Sequence, residues 1–362
     1  MNNRKTRMSV IVLTGGGTAG HCMPCFALLP DLKRSFDEIY YVGDKDKIES
    51  RLAEKHGVTF FYVPTVKLER KLTPKNALIP IKLLKAVSAA KRILKNLKPD
   101  VVFSKGGYVA LPVAIAAHRL GIPVISHESD LSIGLANKIA LRYSAKLLTG
   151  FPPTAENIAK AEYTGIPLDK NLFKPREKGK LFKKYGFDDK KRTILITGGS
   201  QGSAAINAAT EGCIENLAEK YNVLWLAGKG KTSNVKLKNV RCEEFCENMG
   251  EAYALADVCV SRAGANTLFE LIALGIPTLA VPLPKGNSRG DQVENAAYFK
   301  KKGVISVLSE DKLTPESLEY SIGRLFENEK KYAEAYKKLD LRSANERVLS
   351  YLNKYARHTK KR

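Results

Sequence analysis

Residues 261–292 read SRAGANTLFELIALGIPTLAVPLPKGNSRGDQ and predict one complete strand–helix–strand unit. The apolar run at 256–260, just before them, predicts the end of a buried strand. Gly264 lets the backbone approach a ligand, and apolar residues then recur at helical spacing as far as Gly275, a typical helix stop. The next apolar run, Ile276–Val281, predicts a second strand. Strands joined by helices in this way are typical of a parallel α/β sheet.

The polar residues of the same stretch indicate what it binds. Ligands of open α/β sheets bind beyond the carboxyl ends of the strands. Asn266 or Thr267 is expected to cap the helix, whose free N-terminus attracts anions. Glu270, one turn further on, can accept hydrogen bonds from sugar hydroxyls, and a polar loop later presents Asp291 and Gln292. We therefore expect a nucleotide-sugar site here, and the alternative is an ordinary βαβ unit with a Gly-rich turn.

A strand followed by a Gly-rich loop and a helix occurs twice more. The apolar run 8–13 precedes TGGGTAGH at 14–21, and TILIT at 193–197 precedes GGSQGS at 198–203. The amides of the second loop suit a diphosphate because they stand at a helix N-terminus. Two such starts predict two Rossmann-like, doubly wound parallel-sheet domains that face a cleft. Their expected bounds are 1–165 and 166–344.

Composition limits the class of protein and of partner. The chain has 362 residues, 44% of them hydrophobic and 27% charged, which suits a soluble globular protein with two cores. Sixty Lys and Arg against 37 Asp and Glu give a net charge of +23, which favours an anionic partner. No apolar run approaches the roughly 20 residues of a membrane-spanning helix. The run Val10–Leu13 is too short for a signal peptide.

Cys22 and Cys25 have the CxxC spacing of redox motifs, at a helix start where thiol pKa values fall. No thioredoxin-like pattern surrounds them, and Cys242 and Cys246 have the wrong spacing for a standard zinc knuckle. We expect all six cysteines to be free thiols in a reducing cytoplasm, without a redox or metal role.

The first Gly-rich loop leaves two chemistries open. Gly15, Gly17 and Gly20 match the dinucleotide pattern GxGxxG, and Asp44 follows the next predicted strand, so an NAD-dependent oxidoreductase is a competing hypothesis. His21 favours a different reaction, since an imidazole at a helix start is suited to take a proton from an acceptor hydroxyl. The alternative for His21 is a side chain that only caps or packs.

Residues 67–98 carry ten Lys or Arg and a single acid. Their second half predicts a helix with one apolar face against the sheet and basic residues outside, namely Lys82, Lys85, Arg92 and Lys95. Apolar residues without an obvious core partner accompany them, namely Leu72, Leu78, Ile79 and Ile81. Basic charge beside such residues is typical of a membrane-surface contact. The alternatives are a solvated helix face with a packed loop, and a nucleic-acid surface, which the absence of interleaved aromatics disfavours.

Six motifs follow one another along nearly the whole chain. They are GGTAGH (16–21), FSKGGYV (103–109), HESD followed by GLANK (127–138), GGSQGS (198–203), SRAGANTLFE (261–270) and SRGDQVENA (288–296). With them the sequence resembles the MurG glycosyltransferases, and HESD and SRGDQ resemble their Gram-positive branch. The resemblance implies a GT-B fold and peptidoglycan synthesis, a process tied to cell shape and division. In that reaction N-acetylglucosamine (GlcNAc) passes from UDP-GlcNAc to lipid I, the undecaprenyl-linked muramyl-pentapeptide, and lipid II is formed.

The resemblance also implies roles for individual residues, with His21 as the general base. The implied donor residues are Thr18, Ala19, Gly20, Ser200, Gln201, Gly202, Phe245, Cys246, Ala265, Asn266, Thr267, Glu270, Asp291 and Gln292. The implied acceptor-side residues are Gly106, Gly107, Tyr108, His127, Glu128, Asp130 and Asn137. The segment around 72–98 matches the family's membrane-docking patch, and a C-terminal helix at about 345–362 is expected to pack back on the first domain.

The implied enzyme needs no cofactor and no protein-bound metal, although Mg²⁺ bound to UDP remains compatible with it. It is expected to lie peripherally on the cytoplasmic face of the membrane, against anionic lipid, with no nucleic-acid partner. Two positions depart from the family pattern. Asp130 stands where many members have Asn, and Leu168-Asp169 stand where an arginine is common. A related UDP-sugar transferase with a different lipid acceptor and a non-enzymatic basic binding protein are the remaining alternatives.

Overall fold

The computed structural model describes residues 8–65, 79–286 and 289–359 of the chain. The chain divides into two compact units, the first formed by Met1–Asp169 with Arg342–Arg362 and the second by Lys170–Leu341. Within the described residues, each unit contains one parallel sheet whose two faces are both covered by buried side chains. Each unit is therefore a doubly wound α/β fold.

The described sheet of the first unit has seven strands in the order β3-β2-β1-β4-β5-β6-β7. The strands are β1 Val10–Thr14, β2 Glu38–Gly43, β3 Thr59–Tyr62, β4 Val101–Ser104, β5 Val124–Glu128, β6 Lys146–Thr149 and β7 Ala161–Tyr163. The helices are α1 Ala19–Ala27, α2 Leu29–Ser35, α3 Ile48–Lys55, α4 Ile79–Leu97, α5 Ala110–Arg119, α6 Leu135–Ala140 and α7 Pro152–Glu156. Since β1, β4 and β5 are adjacent and parallel, the turns that follow them lie side by side at one edge.

The described sheet of the second unit has six strands in the order β10-β9-β8-β11-β12-β13. The strands are β8 Thr193–Thr197, β9 Asn222–Leu226, β10 Val240–Glu243, β11 Val258–Ser261, β12 Thr278–Ala280 and β13 Ser306–Val307. The helices are α8 Lys178–Tyr185, α9 Ala204–Lys220, α10 Met249–Leu255, α11 Ala265–Leu274, α12 Asp291–Lys301, α13 Pro315–Glu327 and α14 Glu329–Tyr336. Short 3₁₀ turns occupy Lys170–Phe173 and Glu310–Lys312.

The central strands are apolar throughout because both of their faces are buried. In β1, Ile11 and Leu13 join the core on the α1 and α2 side, while Val12 joins the core under α4 and α5. In β8, Ile196 and Leu195 face two different cores in the same way. Consecutive side chains of a strand point to opposite faces, so a strand covered on both sides needs a continuous apolar run.

The last described helix, α15 (Ala344–Thr359), belongs to the first unit. Val348, Leu352 and Ala356 repeat at a spacing of four residues and are buried in the core on the α1 and α2 side. At its start, Asn345 accepts a hydrogen bond from the Leu168 amide at 2.8 Å and donates to the Leu168 carbonyl at 3.0 Å. These two bonds fix the segment that carries the departure Leu168-Asp169.

Two features of the fold differ from the sequence expectation. The single helix expected after TGGGTAGH is two helices, α1 and α2, and the first begins at Ala19, so that His21 lies in its first turn. Strands β3, β7 and β13 escaped prediction, and each is an edge strand of two to four residues. Edge strands are short and only partly covered, so they lack the continuous apolar run that marked the central strands.

Candidate functional site

The first Gly-rich loop is already occupied by a carboxylate of the protein. Glu49, on α3, is fully buried and accepts hydrogen bonds from the amides of Gly17 at 3.2 Å and Asp44 at 3.3 Å. A Cβ added to Gly16 would lie 2.2 Å from Glu49 Oε1, so the loop closes tightly around this side chain. The carboxylate takes the place at which a dinucleotide fold presents amides to a pyrophosphate. Asp44 is also engaged, because it accepts hydrogen bonds from the Thr65 hydroxyl and the Asp46 amide. (GxGxxG in this chain therefore does not form an NAD site.)

His21 lies at the end of this loop beside the turn that follows β4. Its amide donates to the Thr18 carbonyl at 3.1 Å, and its side chain is half-buried. A Cβ on Gly107, where φ is +80°, would lie 2.6 Å from the Gly16 carbonyl and 3.4 Å from His21 Cδ2. The ring of Tyr108 packs directly against Gly17, where an added Cβ would also clash. The structure thus brings His21, Gly107 and Tyr108 together, and their roles as base and acceptor-side residues stay predictions.

Three residues that we expected to face the acceptor are buried instead. His127 has no exposed surface and contacts the Gly165 carbonyl through Nε2 at 2.8 Å, so this nitrogen carries the proton. Burial lowers the pKa of His127 well below its ordinary value, which keeps the ring neutral. Glu128 accepts hydrogen bonds from the Gly134 amide at 2.9 Å and from Asn137 Nδ2 at 3.0 Å. The side chains of His127, Glu128 and Asn137 hold the turn after β5 in shape, and their contact with the acceptor stays a prediction.

Asp130 differs from its neighbours because it stays partly exposed at the end of the same turn. Its amide donates to Glu128 Oε1 at 3.2 Å, so the buried carboxylate fixes the backbone that carries it. The HESD motif thus contains one side chain that can reach a ligand and two that support it.

Lys105 was not predicted as a site residue. It stands between β4 and the two glycines of the next turn, and its side chain is only 1% exposed. Its Nζ donates to Ser129 Oγ at 2.5 Å, and its amide donates to the Thr14 carbonyl at 2.8 Å. Burial lowers the pKa of Lys105 to about 8, and the carboxylates of Glu128 and Asp130 oppose that shift. A lysine followed by two glycines at a strand end was the only sign of it in the sequence.

The second Gly-rich loop offers its surface to a ligand. Ser200 and Gln201 are exposed, and Ser203 caps α9 by accepting a hydrogen bond from the Ile206 amide at 3.2 Å. Gly202, with φ at +66°, is required by the packing, since a Cβ there would lie 2.0 Å from the Ala227 carbonyl. An exposed loop at the start of a long helix is a favourable place for an anion.

Arg262, which was not predicted as a site residue, lies behind this loop. It donates to Ser203 Oγ at 2.6 Å and to the Val281 carbonyl at 3.2 Å, and it forms an ion pair with Glu310. Its guanidinium therefore joins the ends of α9, β11 and β12. The two Gly-rich loops differ in the charge that supports them, a carboxylate at the first and a cation at the second.

The stretch after β11 forms the expected loop and helix, with one correction. Helix α11 begins at Ala265 after Gly264, and neither Asn266 nor Thr267 caps it, because both already lie inside the first turn. Gly264 has φ of −67°, and an added Cβ would meet nothing within 4 Å. Glu270 is partly exposed, and its carboxylate is oriented by accepting a hydrogen bond from the Tyr253 hydroxyl at 2.9 Å.

Phe245 and Cys246 follow β10 and face in opposite directions. The ring of Phe245 is 58% exposed, whereas Cys246 is buried in the core beside Tyr185. The phenyl ring can therefore stack on a planar base. The buried Cys246 can offer only its backbone to a base, and its contact with a base stays a prediction.

Asp291 and Gln292 begin α12 and are both partly exposed. Asp291 lies 3.8 Å from Arg289 in an ion pair, and Gln292 Oε1 accepts a hydrogen bond from the Leu283 amide at 3.0 Å. The glutamine thus ties the start of α12 to the segment after β12 and keeps its amide nitrogen for another partner or for solvent.

The CxxC pair is buried in the first core. Burial raises the pKa of the Cys25 thiol to about 12 and that of Cys22 further still. Thiols with raised pKa values are poor nucleophiles, so the structure gives Cys22 and Cys25 a packing role. Among the residues that the structure describes, no group of three His, Cys, Asp or Glu side chains is arranged to hold a metal ion.

Helix α4 presents two large apolar side chains to solvent. Ile81 is 54% exposed and Leu84 is 60% exposed, and the basic residues Lys82, Lys85, Arg92 and Lys95 are exposed on the same helix. Leu84 was not included in the predicted patch, while the predicted residues Leu72 and Leu78 lie outside the described residues. Over the described part of the chain, no helix is long and apolar enough to cross a membrane.

Comparisons with known proteins show the family to which the chain is similar. Residues 11–149 match the family model of the glycosyltransferase family 28 N-terminal domain, and residues 193–348 match that of its C-terminal domain. A transferase from Clostridium botulinum (strain Langeland), named UDP-N-acetylglucosamine–N-acetylmuramyl-(pentapeptide) pyrophosphoryl-undecaprenol N-acetylglucosamine transferase, is 41% identical over 358 residues. That match covers 97% of this chain and 100% of the relative. The Clostridium tetani protein of the same name is 41% identical, with 95% and 98% covered. The solved structure of Acinetobacter baumannii MurG is 27% identical with a TM-score of 0.73, over 96% of this chain and 99% of that one.

Proposed function

This chain belongs to glycosyltransferase family 28 and, within it, to the MurG transferases, and on that premise we propose that it transfers GlcNAc from UDP-GlcNAc to lipid I. The product is lipid II, the disaccharide-linked precursor of peptidoglycan, and the fold is GT-B. The observation that carries the proposal is the contrast between the two Gly-rich loops. Glu49 fills the first loop with negative charge, whereas the second loop is exposed at a helix start that Arg262 supports, so a nucleoside diphosphate is favoured at the second.

The proposed donor site lies in the second unit. The diphosphate is held at the exposed 200–202 loop before α9, and Phe245 stacks on the uracil. Glu270, oriented by Tyr253, accepts hydrogen bonds from the ribose hydroxyls. Ala265, Asn266 and Thr267 present the first amides of α11 to the nucleotide, which suits its negative charge. Asp291 and Gln292 bind the GlcNAc hydroxyls.

The proposed reaction is a single displacement with inversion at C1 of GlcNAc. The C4 hydroxyl oxygen of lipid I forms the new bond to C1, the bond between C1 and the UDP oxygen breaks, and His21 takes the hydroxyl proton. Thr18, Ala19 and Gly20 line the approach to His21. Negative charge that develops on the leaving UDP is stabilised by the amides before α9, at a helix start that Arg262 holds through Ser203. No step in this scheme requires a cofactor, and Mg²⁺ would act only as a counterion of UDP.

The acceptor side is proposed to consist of the Gly106-Gly107-Tyr108 turn and Asp130 in the first unit. Lipid I is anchored in a membrane, so the enzyme must meet the bilayer. We assign that contact to the exposed face of α4, where Ile81 and Leu84 stand among four cations. Anionic lipid attracts such a face at about 1 kcal/mol for each Lys or Arg near the surface. The proposed location is the cytoplasmic leaflet, without insertion of a spanning helix.

The test is UDP release by the purified protein with UDP-GlcNAc and a short-chain lipid I analogue. UDP-glucose and a reaction without acceptor serve as controls. Acceptor-dependent release with UDP-GlcNAc alone is expected. If the protein binds UDP but releases none with this acceptor, the acceptor assignment is wrong and a different lipid-linked sugar must be tried. If UDP does not bind, the assignment of the second loop is wrong.

A further inference from the structure

The turn after β4 contains a buried lysine that the proposed reaction does not use. We propose that Lys105 is a positioning residue for the acceptor, because its buried ammonium joins the turns after β4 and β5 and so sets where Asp130 and Tyr108 meet the acceptor sugar. The inference rests on the proposed function and deepens it.

Three neighbouring strand ends meet at Lys105. Its amide donates to the Thr14 carbonyl at the end of β1, and its own backbone continues into the turn after β4. Its Nζ donates to Ser129 Oγ, in the turn after β5, at 2.5 Å. A Cβ on Gly15 would lie 2.8 Å from Lys105 Cβ and 2.5 Å from the His21 carbonyl, so the lysine is packed directly beneath the loop that leads to His21.

The turns that Lys105 joins carry the acceptor-side residues. Gly106 and Gly107 follow it, with φ of +83° and +80°, and they bring Tyr108 onto the first loop. A Cβ on Gly106 would lie 2.7 Å from Asn137 Oδ1, so the turn after β4 also touches α6. On the other side, Ser129 directly precedes Asp130. The ammonium therefore joins these two turns through a side-chain hydrogen bond.

A buried ammonium at this place is costly unless negative charge balances it. The charged and titratable groups around it are His127 and Glu128 on β5, Asp130 in the turn after β5, and Cys22 and Cys25 on α1. The two carboxylates favour the charged lysine, while His127 is neutral and the thiols are protonated at neutral pH. An uncharged side chain of the same length would pack equally well here, so the ammonium charge of Lys105 indicates a role beyond packing.

The charge also gives the role a pH dependence. Burial lowers the pKa of Lys105 from 10.5 to about 8. Below that pH the ammonium holds Ser129, and above it the neutral amine holds the turn less strongly. The unfolded chain binds more protons than the folded chain between about pH 8 and 10.5, so the contribution of Lys105 to stability rises over this interval. Because the ammonium is lost over this pH range, we expect kcat/KM for the acceptor to fall there, while the contribution of Lys105 to stability rises.

The experiment compares the wild type with Lys105→Met, Lys105→Arg and, as an exposed control, Lys33→Met. Lys105→Met keeps the length and apolar packing of the side chain and removes its charge. We expect the KM for a lipid I analogue to rise about tenfold to a hundredfold, since a hydrogen bond from a charged group is lost. The KM for UDP-GlcNAc is expected to stay within about twofold, because no donor residue is altered.

The pH profile separates positioning from a merely structural role. In the wild type, kcat/KM for the acceptor is expected to fall above about pH 8, and this alkaline limb is expected to disappear in Lys105→Met. Lys105→Arg keeps a charge at all these pH values and is expected to recover part of the acceptor affinity. An unchanged acceptor KM together with an unchanged alkaline limb in Lys105→Met would overturn the proposal.

Folding and the proposed function are checked separately. UDP binding by calorimetry and thermal unfolding show whether Lys105→Met is folded. If it is not, Ser129→Ala removes only the acceptor of the hydrogen bond, and an unchanged acceptor KM in that variant overturns the proposal. If the wild type does not use lipid I, the proposed function is wrong. If the wild type uses lipid I but the variants have its acceptor KM, only the role of Lys105 is wrong.

Discussion

Gly264 offers a sharp test of the donor site, because the protein itself does not need a glycine there. Its φ of −67° and ψ of 135° are open to any residue, and an added Cβ would meet nothing within 4 Å. By contrast, a Cβ on Gly202 would clash with the Ala227 carbonyl at 2.0 Å. The space beside Gly264 is where the proposed nucleotide approaches the start of α11. Gly264→Ala should therefore harm ligand binding and spare the fold.

The effect on stability follows from two opposing contributions. Alanine reduces the freedom of the unfolded chain, which stabilises the protein by about 0.4–1 kcal/mol. Alanine is also a poorer N-cap than glycine, which costs on the order of 0.5–1 kcal/mol. The free energy of unfolding should thus change by less than about 1 kcal/mol, and Tm by less than about 4 °C. A methyl group forced against the nucleotide costs about 1–3 kcal/mol, or about 5- to 150-fold in affinity.

The assay measures the Kd of UDP by calorimetry, the KM of UDP-GlcNAc by UDP release, and Tm by thermal unfolding. Gly323→Ala is the matched control, since Gly323 lies on α13 of the same unit with φ outside the positive region and with open space around it. We expect Gly264→Ala to weaken UDP binding and Gly323→Ala to leave it unchanged. Wild-type affinity in a folded Gly264→Ala protein would refute the placement of the donor at α11.

Three further predictions concern single groups. His21→Ala should retain UDP binding and lose about 10²–10⁴-fold in kcat, whereas His118→Ala, which changes an exposed histidine on α5, should keep full turnover. The double variant Ile81→Ser/Leu84→Ser should sediment less with anionic vesicles while its turnover of a soluble acceptor analogue stays normal, and equal sedimentation would remove α4 from the membrane contact. Phe245→Ala should raise the KM of UDP-GlcNAc about 5- to 150-fold at unchanged Tm, because the ring is exposed, and an unchanged KM would exclude stacking.

The sequence predicted the central elements of the fold well. Thr193–Thr197 is a strand with the bounds that the pattern indicated, and a helix follows the Gly-rich loop after it. These elements are buried on both faces or carry regular helical spacing, so local sequence is enough to define them. The edge strands β3 and β13 were missed because partial exposure removes the apolar run on which prediction depends.

For the site, the sequence determined which loops carry the chemistry, and tertiary structure decided what each loop can do. TGGGTAGH and GGSQGS look alike as sequence, yet Glu49 closes the first loop and Arg262 supports the second. The partner in each case comes from a different element of the same unit, about 30 to 60 residues away along the chain. The burial of Lys105 against Ser129 has the same origin. Glycine spacing determines the local backbone conformation of each loop. The charge beside the loop comes from a side chain on another element, and only the folded order of the sheet brings that side chain to the loop.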